Sequence, residues 1–228
     1  MIRTKRFEGF EDLYLEPIDG TQDWYCSKEC KDNFCDLYEA EEIVKNTGTF
    51  AGATCYLIHY PDGKVYRPFE MKENRYIEKP VYDDGKLAFL VVDFASSVIQ
   101  ICHFQPEKEK LILLAEMPLN TVKDCYNLSL TTMPLMLGRD GNDGRYEIVW
   151  PEKREIAIGE TEVLFYRDHD KLYFSEWYED PAYHENVVIR SIHTGEVLER
   201  FSGSMYHMPD GRFFVFHEQE TKQRVRNR

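Results

Sequence analysis

NVVIRSIHTGEVLERF, residues 186–201, decides the fold, because it contains an apolar strand, the tight turn Thr194-Gly195 and a second strand. This pattern predicts a β-hairpin. Four other segments of the chain have the same organisation, so the hairpin is one copy of a repeat. The five predicted hairpins lie near residues 13–25, 55–69, 98–114, 146–158 and 187–201.

The turns of successive hairpins are separated by about 43 to 45 residues, a period that is typical of propeller blades. Between the hairpins lie further pairs of predicted strands, so that each repeat has the four strands of one blade. These pairs are residues 75–82 with 86–94, 125–130 with 134–137, and 163–166 with 171–178.

In period and strand number the chain resembles a small five-bladed β-propeller, and the resemblance covers nearly all of its length. It is a resemblance to a fold, since neither the Gly-His and Trp-Asp pairs of WD40 blades nor the double glycine of kelch blades is present. We therefore predict an all-β, five-bladed propeller forming a single domain over residues 1–228. Strands at 204–208 and 212–216 are expected to pair with the N-terminal hairpin and close the ring.

The segment 27–52 does not fit the repeat. Apolar residues in CDLYEAEEIVKN are spaced as in a helix, with strong helix formers between them. A short helix and a distorted pair of strands both remain open for this segment.

The composition excludes some classes of function. The chain has 228 residues, of which 43% are hydrophobic, and a formal net charge of -13, which repels nucleic acid. The basic tail at 222–228 is interpreted as a solvated terminus. No secretory signal or membrane span is found, so we expect a cytoplasmic monomer with no membrane partner. Its cysteines at 55, 102 and 125 lie in strand-like patterns, as reduced buried thiols do.

Two segments have residues that could bind metal. Cys26, Cys30 and Cys35 could contribute to a zinc site, but their spacing is unlike that of zinc knuckles and no second cysteine pair follows. RDGNDGR, residues 139–145, has the oxygen ligands that calcium prefers, but a hairpin turn requires the same residues. We predict no metal and no cofactor.

In a propeller, the loops that follow the second strand of each blade lie together at one mouth of the central channel, where ligands usually bind. These loops include an aromatic and acidic segment, SEWYEDPAYHEN, at residues 175–186. The alternative for its aromatic residues is ordinary packing within the blade. The predicted ligand-binding residues are Trp177, Tyr178, Glu179, Asp140 and His184.

The preferred function is a binding or scaffolding module for a protein or a small polar ligand. The alternative is a carbohydrate-active hydrolase that uses Asp93 and Glu176, predicted on neighbouring blades, as its carboxylate pair. A hydrolase requires such a pair in a deep pocket at the channel mouth, whereas a scaffold requires exposed aromatic residues. No serine nucleophile elbow, phosphate loop or GxGxxG motif is present, so the sequence names no reaction.

Overall fold

The computed structural model describes residues 14–31, 36–208 and 212–217. Their strands form four antiparallel sheets that follow one another along the chain, and each sheet is one blade of a propeller-like ring. No helix among these residues is long and apolar enough to cross a membrane.

The first blade contains the only α-helix of the described ranges, between its second and third strands. Its strands are β1 (Glu16–Pro17), β2 (Trp24–Cys30), β3 (Ala53–His59) and β4 (Lys64–Tyr66), and the helix is α1 (Leu37–Thr47). Asp36 caps the helix, since its carboxylate accepts hydrogen bonds from the N–H groups of Tyr38 and Glu39, and Gly48 ends it at φ 85°. The helical alternative for the segment 27–52 is therefore confirmed.

The second and third blades have the predicted succession of strands. In the second blade both β5 and β6 pair with β7, so its innermost strand is interrupted once. The strands of the second blade are β5 (Arg75–Ile77), β6 (Val81–Asp83), β7 (Lys86–Asp93), β8 (Val98–Gln105) and β9 (Lys110–Pro118). A short 3-10 helix, Leu119–Thr121, leads to the third blade. The strands of the third blade are β10 (Leu128–Thr131), β11 (Met136–Asp140), β12 (Arg145–Trp150) and β13 (Arg154–Ala157).

The fourth blade contains the hairpin of residues 186–201 as its outer pair of strands. Val187 lies opposite Phe201, and the turn places Gly195 at φ 73°, where glycine is favoured. The predicted hairpin is confirmed. The strands of this blade are β14 (Glu162–Asp168), β15 (Lys171–Tyr178), β16 (His184–Ser191), β17 (Val197–His207) and β18 (Phe213–His217).

Neighbouring blades are held together by apolar side chains from both faces of the central strands. In β7, Phe89 packs with the first blade and Leu90 packs with α1 and the third blade. Because both faces of this strand are buried, its sequence is a continuous apolar run. Between the third and fourth blades, Ile148 packs with Phe174 and Val188.

The prediction of five blades is wrong for the described residues, which form four. The predicted first and second hairpins belong to one blade, because α1 is inserted between β2 and β3, which pair directly from Trp24 with His59 to Cys30 with Ala53. The hairpin at 13–25 is thus the inner half of the first blade. It does not pair with C-terminal strands in the part of the chain that the structure describes.

The C-terminal strands pair with each other. The first half of β17 pairs with β16, and its second half pairs with β18. Met205 and Val215 of this hairpin pack on Val187 and Ile189, so the hairpin covers the face of the fourth blade that is turned away from the third. The turn at 209–211 and the basic tail at 222–228 lie outside the described residues.

Candidate functional site

A cavity of about 640 Å³ lies at the mouth of the central channel towards which the loops after the second strands are directed. We call it the Asp140 cavity. Its walls come from all four blades: the start of α1, the end of β5, the segment before β10 with the end of β11, and β14. The polar and aromatic side chains that define it are Asp36, Tyr38, Glu39, Glu78, Tyr126, Asp140 and Tyr146.

Asp140, the last residue of β11, is 7% exposed and lines this cavity. Its Oδ1 accepts a hydrogen bond of 3.1 Å from the Asn142 N–H, and no cation within the described ranges pairs with it. The neighbouring Arg139 directs its guanidinium instead to Asp124 and Glu147. Burial raises the pKa of Asp140, and the nearby Asp143 raises it further; together they outweigh the Asn142 hydrogen bond and the charge of Arg139, which lower it.

The other buried carboxylates of the described residues differ from Asp140, because each has a basic partner. Four such pairs are present: Glu41 with Lys45 at 3.3 Å, Asp93 with Lys72 at 2.6 Å, Glu162 with Arg190 at 2.7 Å, and Glu176 with Arg200 at 2.5 Å. Since a buried charge is costly unless it is paired, Asp140 lacks the compensation that the fold provides elsewhere.

Three tyrosines form the aromatic walls of the Asp140 cavity. The rings of Tyr38 and Tyr126 meet edge to face at 5.3 Å, and Asn142 Nδ2 donates a 2.9 Å hydrogen bond to the Tyr126 hydroxyl. The Tyr146 phenol extends over Gly138, where an added Cβ would lie 1.9 Å from the phenol oxygen. Glycine at position 138 therefore leaves room for this ring.

Glu78 lines the cavity from the second blade and belongs to a polar cluster behind it. Lys28 Nζ lies 3.1 Å from Glu78 Oε1, and the Tyr76 hydroxyl donates a 2.7 Å hydrogen bond to Oε2. Burial raises the pKa of Tyr76 strongly, and the negative charges of Glu78, Asp36 and Glu39 raise it further. Three of the carboxylates around the cavity thus act together on one phenol.

A second cavity, of about 620 Å³, lies at the opposite mouth of the channel. It is lined by the turns within the inner strand pairs of the first three blades, by Phe165 and Tyr166 of β14, and by His207, Arg212 and Phe213 of the C-terminal hairpin. Thr131 and Phe165 line both cavities, so the two cavities adjoin each other at these residues. Phe165 is partly exposed within the channel.

Of the predicted ligand-binding residues, Asp140 lines the cavity, and the other four lie in or beside the loop between β15 and β16. There the ring of Tyr178 stacks on His184 at 4.9 Å, and Trp177 is 40% exposed. Glu179 lies in the connecting loop. The structure does not bring these four residues into either of the cavities described above.

Asp93 and Glu176 lie on the second and fourth blades, so their prediction on neighbouring blades is wrong. Each is buried and engaged by a basic side chain, and Glu176 also accepts a 3.0 Å hydrogen bond from Asn186. Neither lines one of the two channel cavities. The geometry therefore gives no support to an acid and base pair at the channel mouth.

The two candidate metal segments have other structures. Cys26 is a buried free thiol, Cys30 is disulfide-bonded, and Cys35 lies outside the described residues. RDGNDGR forms the end of β11 and the turn into β12, as the turn interpretation predicts. Within the ranges described, no group of three or more His, Cys, Asp or Glu side chains is placed to hold a metal ion.

Comparison with known proteins finds similarity among solved structures. No protein-family profile matches the chain, and no curated protein matches it by sequence. It resembles the solved structure of the β-propeller domain of the trilobed protease from Pyrococcus furiosus, with 12% identity and a TM-score of 0.37, over 92% of this chain and 79% of that one.

Two longer proteins also resemble the chain. Prolyl oligopeptidase B from Galerina marginata is 11% identical, with a TM-score of 0.48, over 90% of this chain and 30% of that one. Dipeptidyl peptidase 4 from Porphyromonas gingivalis is 11% identical, with a TM-score of 0.45, over 91% and 34%. The chain thus spans about a third of the length of these two peptidases.

Proposed function

We propose that the protein is a binding module whose ligand site is the Asp140 cavity. The observation that carries this proposal is a buried carboxylate without a basic partner at the wall of an open cavity, in a fold whose other described buried carboxylates are all paired. Uncompensated buried charge destabilises a protein, and groups of this kind are concentrated at functional sites.

The size and position of the cavity support the same proposal. A volume of about 640 Å³ is within the range of small-molecule sites, and it also suits one long side chain of a partner protein. The walls come from four separate blades, so the shape of the site depends on the complete arrangement of the ring. Tyrosine and carboxylate side chains offer both apolar contact and directed hydrogen bonds to a polar ligand.

The test is a binding screen in which one residue reports the location of the ligand. A panel of monosaccharides, amino acids, aliphatic amines and dicarboxylates is first screened by the shift that each causes in the thermal unfolding midpoint. Hits are then titrated by calorimetry against the parent protein, Asp140→Asn and Asp143→Asn. Asp143 is the matched control, because it lies three residues further along the same turn and is exposed.

We expect Asp140→Asn to weaken binding by about tenfold or more, which corresponds to roughly 1.4 kcal/mol, and Asp143→Asn to weaken it by less than about threefold. Retained far-ultraviolet circular dichroism would show that both variants are folded. A ligand that binds the parent protein and Asp140→Asn equally well would place the site elsewhere and overturn the proposal.

A further inference from the structure

We infer that the group recognised in the Asp140 cavity is a protonated alkylamine or guanidinium. This inference rests on the proposed function and names the chemistry of its ligand. It is supported by the negative charge of the cavity, by the burial of the Asp140 carboxylate without a basic partner, and by the aromatic and apolar side chains of the walls.

The charge of the cavity has one sign. Its described lining includes four carboxylates and no lysine, arginine or histidine. Lys28, behind the wall, compensates Glu78, so the charges of Asp36, Glu39 and Asp140 remain. A negative field in a cavity concentrates cations and repels anions, which excludes phosphates and carboxylates as the recognised group.

Asp140 provides the specific contact. One oxygen of this buried carboxylate accepts the Asn142 N–H, and no donor within the described ranges reaches the other oxygen. A neutral hydroxyl could donate a hydrogen bond there but would leave the buried charge uncompensated. An ammonium or guanidinium provides both the hydrogen bond and the opposite charge, as Lys72 does for the equivalent Asp93 at 2.6 Å.

The walls suit the rest of such a ligand. Tyr38, Tyr126 and Tyr146 present three rings to the cavity, and a cation within about 6 Å of an aromatic ring is stabilised by its quadrupole. Leu37, Val163 and Phe165 form apolar lining that can contact an alkyl stem. A flexible chain that ends in a cation therefore matches the site better than a rigid polyhydroxylated ring does.

Two sources can supply this chemistry: a free aliphatic amine, or a lysine or arginine side chain of a partner protein. The probes are 1,5-diaminopentane for the first source and N-acetyl-lysine-methylamide for the second. N-acetyl-norleucine-methylamide is a neutral analogue of the second probe that lacks the terminal amine, and glutarate is an anion similar in length to the first probe. Each is titrated against the parent protein, Asp140→Asn and Asp143→Asn at two salt concentrations.

At least one cationic probe is expected to bind, with the affinity reduced about tenfold or more by Asp140→Asn and little by Asp143→Asn. The neutral analogue and glutarate are expected to bind at least tenfold more weakly. The cationic probe that binds more tightly identifies whether the ligand is a free amine or a side chain of a partner protein. A second pair of variants tests the aromatic wall: Tyr126→Phe keeps the ring and should retain binding, whereas Tyr126→Leu should weaken it by about threefold.

The inference and the proposed function fail in different ways. If a neutral or anionic ligand binds and is lost in Asp140→Asn while the cations do not bind, the site is right and the cation inference is overturned. If a cation binds the parent protein and Asp140→Asn equally well, both are overturned, because the carboxylate then has no part in recognition.

Discussion

Asp93 and Asp140 occupy equivalent positions in the second and third blades. Replacing Asp93 with asparagine is expected to lower the stability of the protein, whereas replacing Asp140 is expected to leave it unchanged or raise it. Asp93 is the last residue of β7, Asp140 is the last residue of β11, and each is 7% exposed. Asp93 accepts a 2.6 Å hydrogen bond from Lys72 Nζ and a 3.0 Å hydrogen bond from the Ser96 N–H. Asp140 accepts only the hydrogen bond from Asn142 among the described residues.

The magnitudes follow from these partners. At pH 7, Asp93→Asn removes a charge-assisted hydrogen bond, but Lys72 is half exposed and can be rehydrated, so we expect a loss of about 1–2 kcal/mol in the free energy of unfolding. Asp140→Asn removes a buried charge that has no ion-pair partner among the described residues, and it keeps an acceptor for the Asn142 N–H. We expect that variant to be unchanged or more stable by up to about 1 kcal/mol.

The pH dependence distinguishes the two variants further. Burial raises the pKa of Asp140 above its usual 3.8, so its contribution to stability is present in acid and is lost as the pH rises through the raised pKa. For Asp93, burial acts in the same direction, but the bonds from Lys72 and Ser96 outweigh it and lower the pKa. Its contribution is therefore present above 3.8 and is lost as the pH falls through the lowered pKa.

The measurement is urea unfolding of the parent protein and the two variants, followed by tryptophan fluorescence and circular dichroism at several pH values between 3.5 and about 7. The benefit of Asp140→Asn should grow as the pH rises, and the cost of Asp93→Asn should also grow. If Asp140→Asn costs as much as Asp93→Asn at neutral pH, Asp140 is compensated in the folded protein, and the reasoning that makes it a site residue is refuted.

Two further predictions concern the stability of the third and fourth blades. Arg190→Met should cost about 3–5 kcal/mol in urea unfolding, because it leaves Glu162 buried without its partner, whereas Arg145→Met, which breaks an exposed pair, should cost less than about 1 kcal/mol. Equal costs would contradict this ranking. Gly138→Ala should cost about 1–3 kcal/mol through overpacking, and less in a Tyr146→Phe background, because the phenol oxygen is the nearest atom to the added Cβ. An undiminished cost in that background would show that this oxygen is not the cause.

Local patterns are sufficient to predict most of the strands. In residues 186–201, apolar residues on both sides of Thr194-Gly195 specify a hairpin through contacts only a few residues apart. For the segment that contains α1, the spacing of apolar residues favours a helix, whereas its place in the repeat favours strands. Asp36 and Gly48, which cap it, are local signals that could have decided the question.

The number of blades could not be predicted by counting hairpins. The predicted hairpins at 13–25 and 55–69 are separated by an ordinary repeat distance but form one blade, because β2 and β3 pair directly although α1 lies between them in the sequence. Strand pairing across such an insertion depends on which apolar faces meet, and Trp24 and Leu57 share a face only after the strands have paired.

Of the residues that line the Asp140 cavity, the sequence points to Asp140, because the loops after second strands are expected to lie at one mouth of the channel. The other four predicted ligand-binding residues lie outside this cavity. Tyr38, Tyr126 and Glu78 were not named, because they come from a helix start, a connection between blades and an inner strand. Their distance from Asp140 in sequence gives no signal that they share a cavity.

The sequence by itself determined most of the strands, their hairpins and the acidic character of the chain, since these depend on neighbouring residues and on composition. Only the tertiary structure decided which carboxylates are compensated. Asp93, Asp140 and Glu176 look alike in sequence, but Lys72 and Arg200 reach two of them and no cation of the described chain reaches the third. Compensation of a buried charge requires a partner within about 4 Å, and that distance is set by packing between segments far apart in the chain.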